Sequence, residues 1–269
     1  MTRERFGEKY GPWAVVTGAS DGIGRGSALC LAQAGLNLVL VARRVEVLET
    51  LGNQLRSGYG VEVVVVPADL SKCDALVSLV SCTADLDVGL LVAAAGFGTS
   101  GPFVDSELAD ELEMIDVNCR AVAELAHHFG ARFSRRGKGG IVLLSSVVAF
   151  QGVPRAANYA ATKAYVQSLA EGLRGELGPL GVDVLASAPG PVQSGFARRA
   201  HMTMGQALSP ESVARATLDA LGRRGTTRPG WLSKLLGWSL ALLPRWARVR
   251  VMTLVMAGMA KKQSGGAAG

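Results

Sequence analysis

Three side chains in the middle of the chain could together carry out acid–base chemistry at a carbonyl group. Tyr159 and Lys163 are four residues apart, and Ser146 precedes the tyrosine by thirteen. On a helix, residues i and i+4 share a face, so the Lys163 ammonium would lie near the phenol and lower its pKa from the ordinary value of about 10. A Ser146 hydroxyl on a neighbouring strand could hold the carbonyl oxygen while Tyr159 gives or takes the proton. The alternative is that Tyr159 and Lys163 share an ordinary helix by coincidence.

The composition is that of a globular protein with a large core. The 269 residues suffice for one large domain or two small ones, and a chain that is 49% hydrophobic and 19% charged is not largely disordered. The four cysteines and three histidines have no metal-ligand spacing and the cysteines form no CxxC pair, so we expect neither a metal site nor a disulfide framework. The polar N-terminus lacks the apolar run of a secretory signal, which predicts a cytoplasmic protein.

The net charge of +6 comes from the C-terminal part of the chain. After residue 220 there are nine basic residues and no acidic residue, which leaves a net charge of −3 for residues 1–220. No helix-turn-helix, zinc-finger or RNP motif accompanies the basic residues. We therefore expect no nucleic-acid partner.

Short apolar runs alternate with helix-patterned segments along most of the chain. Strands are predicted at residues 13–16, 37–42, 61–66, 89–93, 140–144 and 182–186, and helices at 22–34, 45–56, 71–83, 106–136 and 156–178. Uninterrupted Val and Leu runs bounded by Gly or Pro are typical of strands buried on both faces. The alternation predicts an α/β fold, a Rossmann-like doubly wound parallel sheet flanked by helices. We expect a nucleotide-binding and catalytic domain at 1–220, a basic apolar helical extension at 221–262 and a tail at 263–269.

A glycine-rich turn joins the first predicted strand to the first predicted helix. Gly18, Gly22 and Gly24 allow a tight turn and let the pyrophosphate of a dinucleotide approach the backbone amides at the helix N-terminus. In this strand–turn–helix context the motif favours dinucleotide binding over an ordinary loop.

The residues that follow the second and third strands select the cofactor. No carboxylate follows the second strand to repel a 2′-phosphate, and the guanidinium of Arg43 could bind one, which favours NADP(H) while leaving NAD(H) possible. The alternative is that Arg43 and Arg44 are solvated charges at a helix start. Asp69 could accept a hydrogen bond from the adenine amino group, or it could only cap the next helix.

Seven motifs in a single order resemble the classical short-chain dehydrogenase/reductase family over residues 11–220. They are Thr-Gly-Ala-Ser-Asp-Gly-Ile-Gly at 17–24, Ala-Asp-Leu at 68–70, Ala-Gly at 95–96, Val-Asn at 117–118, Leu-Ser-Ser at 144–146, Tyr-Ala-Ala-Thr-Lys at 159–163 and Pro-Gly-Pro-Val at 189–192. The resemblance implies an NAD(P)-dependent oxidoreductase acting on a small carbonyl or alcohol substrate. It also implies a homodimer or homotetramer packed through helices 106–136 and 156–178.

The resemblance assigns roles to individual residues. It implies that Tyr159 is the catalytic acid/base, that Ser146 orients the carbonyl, and that Lys163 lowers the tyrosine pKa and holds the nicotinamide ribose. Asn118 would anchor a water that links Lys163 to solvent. Besides Asn118, Tyr159 and Lys163, the expected cofactor contacts are Gly18, Ser20, Asp21, Gly22, Ile23, Gly24, Arg43, Asp69, Leu70, Ala95, Gly96, Pro189, Gly190, Val192 and Ser194.

Four positions depart from the family pattern. After the fourth strand the chain has Ala93 and Ala94 where the family usually has two asparagines, so we expect lost side-chain hydrogen bonds and backbone groups left to water. Ser194 replaces a threonine and keeps its hydroxyl. Asp21 occupies a position that is often basic in NADP-preferring members, which weakens the prediction of NADP.

The C-terminal residues 231–260 lie outside the family core. Tryptophans, leucines and basic residues there could form interfacial helices on an anionic membrane, at the inner membrane surface, or helices that cover the substrate cleft or a dimer interface. This region also resembles the corresponding part of 3-oxoacyl-CoA reductases and hydroxysteroid dehydrogenases, which suggests a lipophilic ketone. The loop after Pro191, which runs through Phe196 and residues 202–204 to about 209, is expected to cover the substrate. The predicted substrate contacts are Ser146, Tyr159 and Phe196.

These observations predict an NADP(H)-dependent oxidoreductase that reduces a lipophilic ketone or aldehyde to an alcohol. A non-catalytic nucleotide-binding sensor or membrane-associated scaffold is the alternative, although such a protein has no need of Tyr159 and Lys163 together. A hydrolase is not indicated, since the chain has no Gly-x-Ser-x-Gly motif.

Overall fold

A seven-stranded, wholly parallel sheet forms the centre of the molecule. The computed structural model describes residues 3–196, 207–231, 233–235, 239 and 243–264. The strands are β1 Trp13–Thr17, β2 Asn37–Ala42, β3 Val63–Pro67, β4 Val88–Ala93, β5 Gly139–Leu144, β6 Val182–Ser187 and β7 Thr226–Thr227. Their spatial order is β3-β2-β1-β4-β5-β6-β7. The order reverses between β1 and β4, which is where a doubly wound sheet opens a crevice at its carboxyl edge.

Nine helices flank the sheet within the described part of the chain. They are α1 Arg3–Tyr10, α2 Gly22–Gln33, α3 Val45–Tyr59, α4 Asp74–Thr83, α5 Leu108–Ile115, α6 Ala121–Arg136, α7 Ala157–Leu177, α8 Pro210–Ala220 and α9 Arg245–Ser264. Short 3₁₀ turns at Phe103–Asp105, Val147–Phe150 and Gly178–Leu180 complete the connections. The predicted α/β doubly wound fold is confirmed.

The alternation of side chains along each strand divides the core into two layers. On β1, Ala14 and Val16 face the layer that α2 and α3 cover, whereas Trp13 and Val15 face the layer beneath α4, α6 and α7. Successive residues of a strand point to opposite faces, so a continuous apolar run is required wherever helices cover both faces. This explains why the strands could be located from their Val and Leu runs.

Several features differ from the sequence-based expectations, among them α8, which was not predicted, and α4, which begins at Asp74 and not at residue 71. The strand expected to start at residue 61 begins at Val63, and both α1 and β7 were not predicted. Helix α1 has few apolar side chains, but Phe6 and Tyr10 pack into the core and the Tyr10 hydroxyl donates to Asp183 Oδ2 at 2.6 Å. Strand β7 contains two residues, too few for any periodic pattern, and it extends the sheet beyond residue 220.

The helical stretch expected over residues 106–136 runs without interruption from Leu108 to Arg136 and contains one irregular turn. Helix α5 and helix α6 are separated by a π-helical turn at Asp116–Arg120. The turn holds Asn118, whose buried side chain donates from Nδ2 to the Phe97 carbonyl at 2.8 Å and to Thr162 Oγ1 at 3.0 Å. Such π-turns occur frequently at functional sites because the extra residue redirects a side chain.

Candidate active site

A large cavity lies at the carboxyl edge of the sheet, over the crevice between β1 and β4. Its volume is about 1010 Å³, which is large enough for a dinucleotide and a second small molecule. The loops that follow β1, β2, β3, β4, β5 and β6 all contribute to its walls. Every residue predicted to contact cofactor or substrate lines this cavity except Gly24 and Asn118, which lie directly behind the wall.

The glycines of the first turn permit contacts that a larger residue would block. Gly18 has φ +66°, and a Cβ there would lie 2.8 Å from the Ala95 amide nitrogen. A Cβ on Gly24 would lie 2.3 Å from the Gly18 carbonyl oxygen, so helix α2 can start close to the turn only if this residue is glycine. The resulting backbone cradle at a helix N-terminus fits the pyrophosphate of a dinucleotide.

The carboxylate of Asp21 accepts hydrogen bonds from two backbone amides. Its Oδ1 accepts from the Gly22 amide at 2.7 Å and caps α2, and its Oδ2 accepts from the Gly195 amide at 2.8 Å. The side chain therefore joins the glycine turn to the segment after β6. Because two amides take up its charge, the presence of an acid at this position weighs less against a phosphate-bearing cofactor than the sequence suggested.

Two arginines and one aspartate follow β2 and β3 at the same end of the cavity. Arg44 donates from Nη2 to Ser20 Oγ at 3.1 Å, and Arg43 pairs with Glu113 Oε1 at 3.4 Å. Burial opposes ionisation of Asp69, but hydrogen bonds from the backbone and side chain of Ser71, with the charge of Arg43, lower the pKa of Asp69 overall. The sequence assigned cofactor contact to Arg43 alone, whereas both arginines line the cavity.

In the loop after β4, the backbone amide of Ala95 has a hydrogen-bond acceptor on a neighbouring side chain. The Ala95 amide donates to Thr17 Oγ1 at 3.1 Å, at the end of β1. Thr17 therefore ties β4 to β1 beside the glycine turn. The Ala95 amide therefore has a protein acceptor, while the expectation of lost side-chain hydrogen bonds at Ala93 and Ala94 stays a prediction.

Ser146, Tyr159 and Lys163 meet at the wall of the cavity. Ser146 follows β5 and caps the 3₁₀ turn Val147–Phe150, while Tyr159 and Lys163 project from α7. Lys163 donates from Nζ to the Leu144 carbonyl at 2.8 Å, and its Nζ is 5.8 Å from the centre of the Tyr159 ring. The neighbouring Ser145 hydroxyl donates to the Lys163 carbonyl at 3.1 Å. These bonds fix the start of α7 against the end of β5.

Burial shifts the pKa values of Tyr159 and Lys163 in opposite directions. It raises the pKa of Tyr159 to about 12, although a hydrogen bond with Ser146 acts in the opposite direction. It also lowers the pKa of Lys163 to about 8. The sequence led us to expect a lowered tyrosine pKa, and in this structure desolvation of the phenolate outweighs any attraction to the ammonium. Tyr159 is therefore a protonated donor at neutral pH.

Asn118 links these residues to the loop after β4. Its Oδ1 accepts from the Phe97 amide at 3.1 Å, so both ends of its side chain are bound within the protein. A Cβ on Gly96 would lie 2.9 Å from this Oδ1, which shows how closely the loop passes over the amide. Asn118 thus positions the loop, and a water-anchoring role for it stays a prediction.

The segment after β6 forms the opposite wall. The Gly190 amide donates to Ser233 Oγ at 2.9 Å, and Val192 pairs in a short β-bridge with Leu208. The Phe196 ring packs against the Tyr159 ring with centres 5.3 Å apart. The covering segment predicted at residues 202–204 lies outside the described residues.

The C-terminal helix covers part of the cavity, which was one of the alternatives that the sequence left open for residues 231–260. Met252 of α9 is buried against Val153, Ala156 and Ala160, so α9 covers the cleft beside Tyr159. Arg248, one turn earlier, and Arg228, after β7, also line the cavity. The four-residue spacing of Arg248 and Met252 was the available signal for a shared helix face, but the sequence analysis singled out neither residue, nor Arg228.

A phenol, a hydroxyl and an ammonium at the wall of a cavity with a dinucleotide cradle can bind a carbonyl oxygen and transfer a proton to it. Comparison with known proteins identifies the group to which this arrangement belongs. A family model described as short chain dehydrogenase matches residues 12–204.

Curated relatives and solved structures agree with this match. The chain is 34% identical to a 7β-hydroxysteroid dehydrogenase of Clostridium sardiniense, covering 85% of this chain and 89% of the relative. It is 33% identical to a very-long-chain 3-oxoacyl-CoA reductase of Scheffersomyces stipitis, covering 88% and 72%. A solved structure of a 7β-hydroxysteroid dehydrogenase superimposes with a TM-score of 0.85 at 28% identity, covering 92% of this chain and 98% of that one.

A second solved structure, a short-chain dehydrogenase from Sphingobium yanoikuyae in complex with NADPH, superimposes with a TM-score of 0.78 at 31% identity, covering 87% of this chain and 97% of that one. The motif order, the sheet topology and the family match thus lead to one assignment. The chain belongs to the short-chain dehydrogenase family, whose members are oxidoreductases that use NAD(P).

Proposed function

We propose that the protein reduces a lipophilic ketone or aldehyde to an alcohol with NADPH. The observation that carries the proposal is that Ser146, Tyr159 and Lys163 line the same cavity as the glycine turn, with Tyr159 held in its protonated form. When bound, NADPH supplies the hydride. The relatives act on steroids and on long-chain 3-oxoacyl thioesters, both of which are lipophilic, and this supports the same substrate class here.

The protein side of the reaction is proton transfer and charge stabilisation. Ser146 donates a hydrogen bond to the carbonyl oxygen and Tyr159 gives its proton to that oxygen as charge develops there. Lys163 stabilises the phenolate that is left, since a nearby ammonium favours the charged form. The cavity walls exclude water and thereby strengthen these electrostatic interactions.

The proposed cofactor contacts fall into two groups, one for the adenine and pyrophosphate and one for the nicotinamide half of NADP(H). The backbone of Gly18, Gly22 and Ile23 would hold the pyrophosphate, and Asp69 and Leu70 would border the adenine. Pro189, Gly190, Val192 and Ser194 would border the nicotinamide half. Ser20, Arg43 and Arg44 lie together where a 2′-phosphate would be held, which supports a preference for NADP(H) over NAD(H).

We expect Tyr159→Phe to lower kcat for ketone reduction by about 10²–10⁴-fold, because the general acid is removed while the aromatic ring is kept. Steady-state assays with NADPH and a panel of ketones, aldehydes and 3-oxoacyl thioesters measure this.

The wild-type reduction rate should fall as pH rises through about 8, where Lys163 loses its proton and the phenolate loses its counter-charge. The reverse oxidation, which needs the phenolate, should accelerate with rising pH.

Tyr165→Phe is the matched control, since Tyr165 lies on the same helix with its side chain exposed to solvent. It should retain wild-type rates. Wild-type turnover by Tyr159→Phe would show that this mechanism is wrong.

The cofactor preference is tested by Arg43→Gln and Arg44→Gln. Each should weaken NADPH binding by about tenfold or more through loss of a charge-assisted hydrogen bond, with little effect on NADH. Fluorescence titration of each dinucleotide gives both dissociation constants. Arg215→Gln, an exposed arginine of α8, should change neither constant. Equal losses for NADPH and NADH would contradict recognition of the 2′-phosphate.

A second copy of the chain is the partner proposed for α5 and α7. Leu108, Leu112 and Ile115 recur along one face of α5 and are exposed, as is Tyr165 on α7. An apolar helix face of this kind is typical of a packing surface. These helices lie within the segments 106–136 and 156–178 that the family resemblance assigned to dimer contacts.

We expect Leu112→Glu to convert the dimer or tetramer to a species of lower mass, because a charge cannot be buried unpaired at the interface. Light scattering coupled to gel filtration measures the masses. Val77→Glu, at an equally exposed position on α4, should leave the native mass unchanged. A wild-type protein that elutes as a monomer would eliminate this interface.

The exposed surface near the C-terminus supports a peripheral contact with an anionic membrane. Trp231, Trp246 and Leu254 are exposed, and the Arg250 guanidinium lies 5.3 Å from the Trp246 ring centre. Aromatic and leucine side chains beside arginines suit the interface of an anionic bilayer. Within the described part of the chain, no helix is long and apolar enough to cross a bilayer.

Trp246→Ser should lower partitioning onto vesicles that contain anionic phospholipid by about tenfold, through loss of apolar burial. Co-sedimentation with anionic and zwitterionic vesicles measures the partition coefficients. Leu180→Ser, which removes an exposed leucine far along the chain from this surface, serves as the control. If wild-type protein stays in the supernatant with both kinds of vesicle, the membrane contact does not exist.

A further inference from the structure

We propose that the substrate end of the cavity binds an anionic oxygen group, a carboxylate or a phosphate, on the same molecule that carries the ketone. Arg228 and Arg248 form this subsite. The inference rests on the proposed ketone reduction and adds a substrate class to it: an amphipathic carbonyl compound with one anionic end.

Arg228 is held over the substrate side of the cavity by an aromatic ring. It follows β7, and its guanidinium carbon lies 4.4 Å from the centre of the Phe150 ring. Phe150 ends the 3₁₀ turn that Ser146 caps, so this arginine is connected through one short turn to the proposed carbonyl-binding hydroxyl. Stacking on an aromatic face fixes the plane of a guanidinium and leaves its edge available to bind a planar anion.

The Arg228 Nε is a buried donor without an acceptor. Among the residues that the structure describes, no hydrogen-bond partner meets this N–H. A buried charged donor left without a partner is strongly unfavourable, so such a group usually faces a ligand or an ordered water. An anionic oxygen in the cavity would supply the missing acceptor.

Arg248 approaches the same space from the C-terminal helix. Its Nε donates to the Leu243 carbonyl at 2.8 Å, which fixes the direction of the side chain. One turn later Met252 is buried against Val153 and Ala160, so the helix face that carries Arg248 is seated on the cleft. Both arginines line the cavity.

The carboxylates of the described cavity wall lie at the nucleotide end. They are Asp21, Asp69 and Glu113: Asp21 accepts from the Gly22 and Gly195 amides, Asp69 accepts from Ser71, and Glu113 pairs with Arg43. The described walls at the ketone end carry positive charge from Arg228 and Arg248 beside the apolar side chains of Phe196 and Met252. An apolar body with an anionic end complements this combination of surfaces.

Matched substrate pairs test the subsite. One pair is an oxosteroid with a side-chain carboxylate and its methyl ester; the other is a 3-oxoacyl-CoA and the same acyl group on N-acetylcysteamine, which lacks the phosphates. Wild-type kcat/KM should favour one anionic member by about tenfold to hundredfold. Arg228→Gln and Arg248→Gln should each lower kcat/KM much more for the anionic member than for the neutral member, so that most of that preference is lost. If the steroid pair shows the preference, the subsite binds a carboxylate. If the thioester pair shows it, the subsite binds a phosphate.

Arg245→Gln and Arg223→Gln are the matched controls, since each replaces an exposed arginine near one of the tested residues in sequence. Both should keep the wild-type preference, and the KM for NADPH should stay constant in all four variants. Equal losses for the charged and neutral members, or no change in the ratio, would overturn the proposal.

A binding measurement separates this inference from the proposed reaction. Calorimetry with the NADPH-loaded protein gives dissociation constants for the carboxylate and its ester, and for the thioester pair, without turnover. Preferential binding of an anionic member that depends on Arg228 and Arg248, but without reduction, would refute the proposed reaction and support the subsite. Reduction without any preference would refute the subsite alone.

Discussion

Lys163 donates a 2.8 Å hydrogen bond from Nζ to the carbonyl of Leu144, and the rest of the site depends on this contact. It fixes the start of α7 at the place where β5 ends, so the phenol of Tyr159 and the hydroxyl of Ser146 meet although they come from different elements. Asn118 completes the arrangement from the π-turn by holding the loop after β4 and Thr162 of the same helix. Because each bond is buried, water does not compete with it.

Burial also sets the protonation states of Tyr159 and Lys163. Desolvation raises the pKa of Tyr159 to about 12 and lowers that of Lys163 to about 8, since both charged forms lose hydration. At neutral pH the tyrosine is therefore protonated. This state suits carbonyl reduction, in which charge on the oxygen appears only as the reaction proceeds.

The two ends of the cavity differ in their electrostatics. At the nucleotide end, acids and bases are balanced by one another and by backbone amides, as with Asp21 on the Gly22 and Gly195 amides. At the ketone end the described walls combine arginines with apolar side chains. The C-terminal helix creates this second environment, because Arg248 and Met252 reach the cleft from outside the nucleotide-binding sheet. Variation in this helix would therefore change substrate preference without disturbing the cofactor contacts.

The sequence alone determined the features that depend on local spacing. Val and Leu runs located six of the seven strands, Gly18, Gly22 and Gly24 marked the dinucleotide turn, and Tyr159 with Lys163 marked one helix face, because period and turn chemistry act within a few residues. Only the tertiary structure decided the pKa of Tyr159, the pairing of Arg43 with Glu113, the π-helical turn at Asn118 and the positions of Arg228 and Arg248 on the cavity wall. These depend on burial and on contacts between residues far apart in the chain, which are set by how the helices cross the sheet and leave no periodic trace in the sequence.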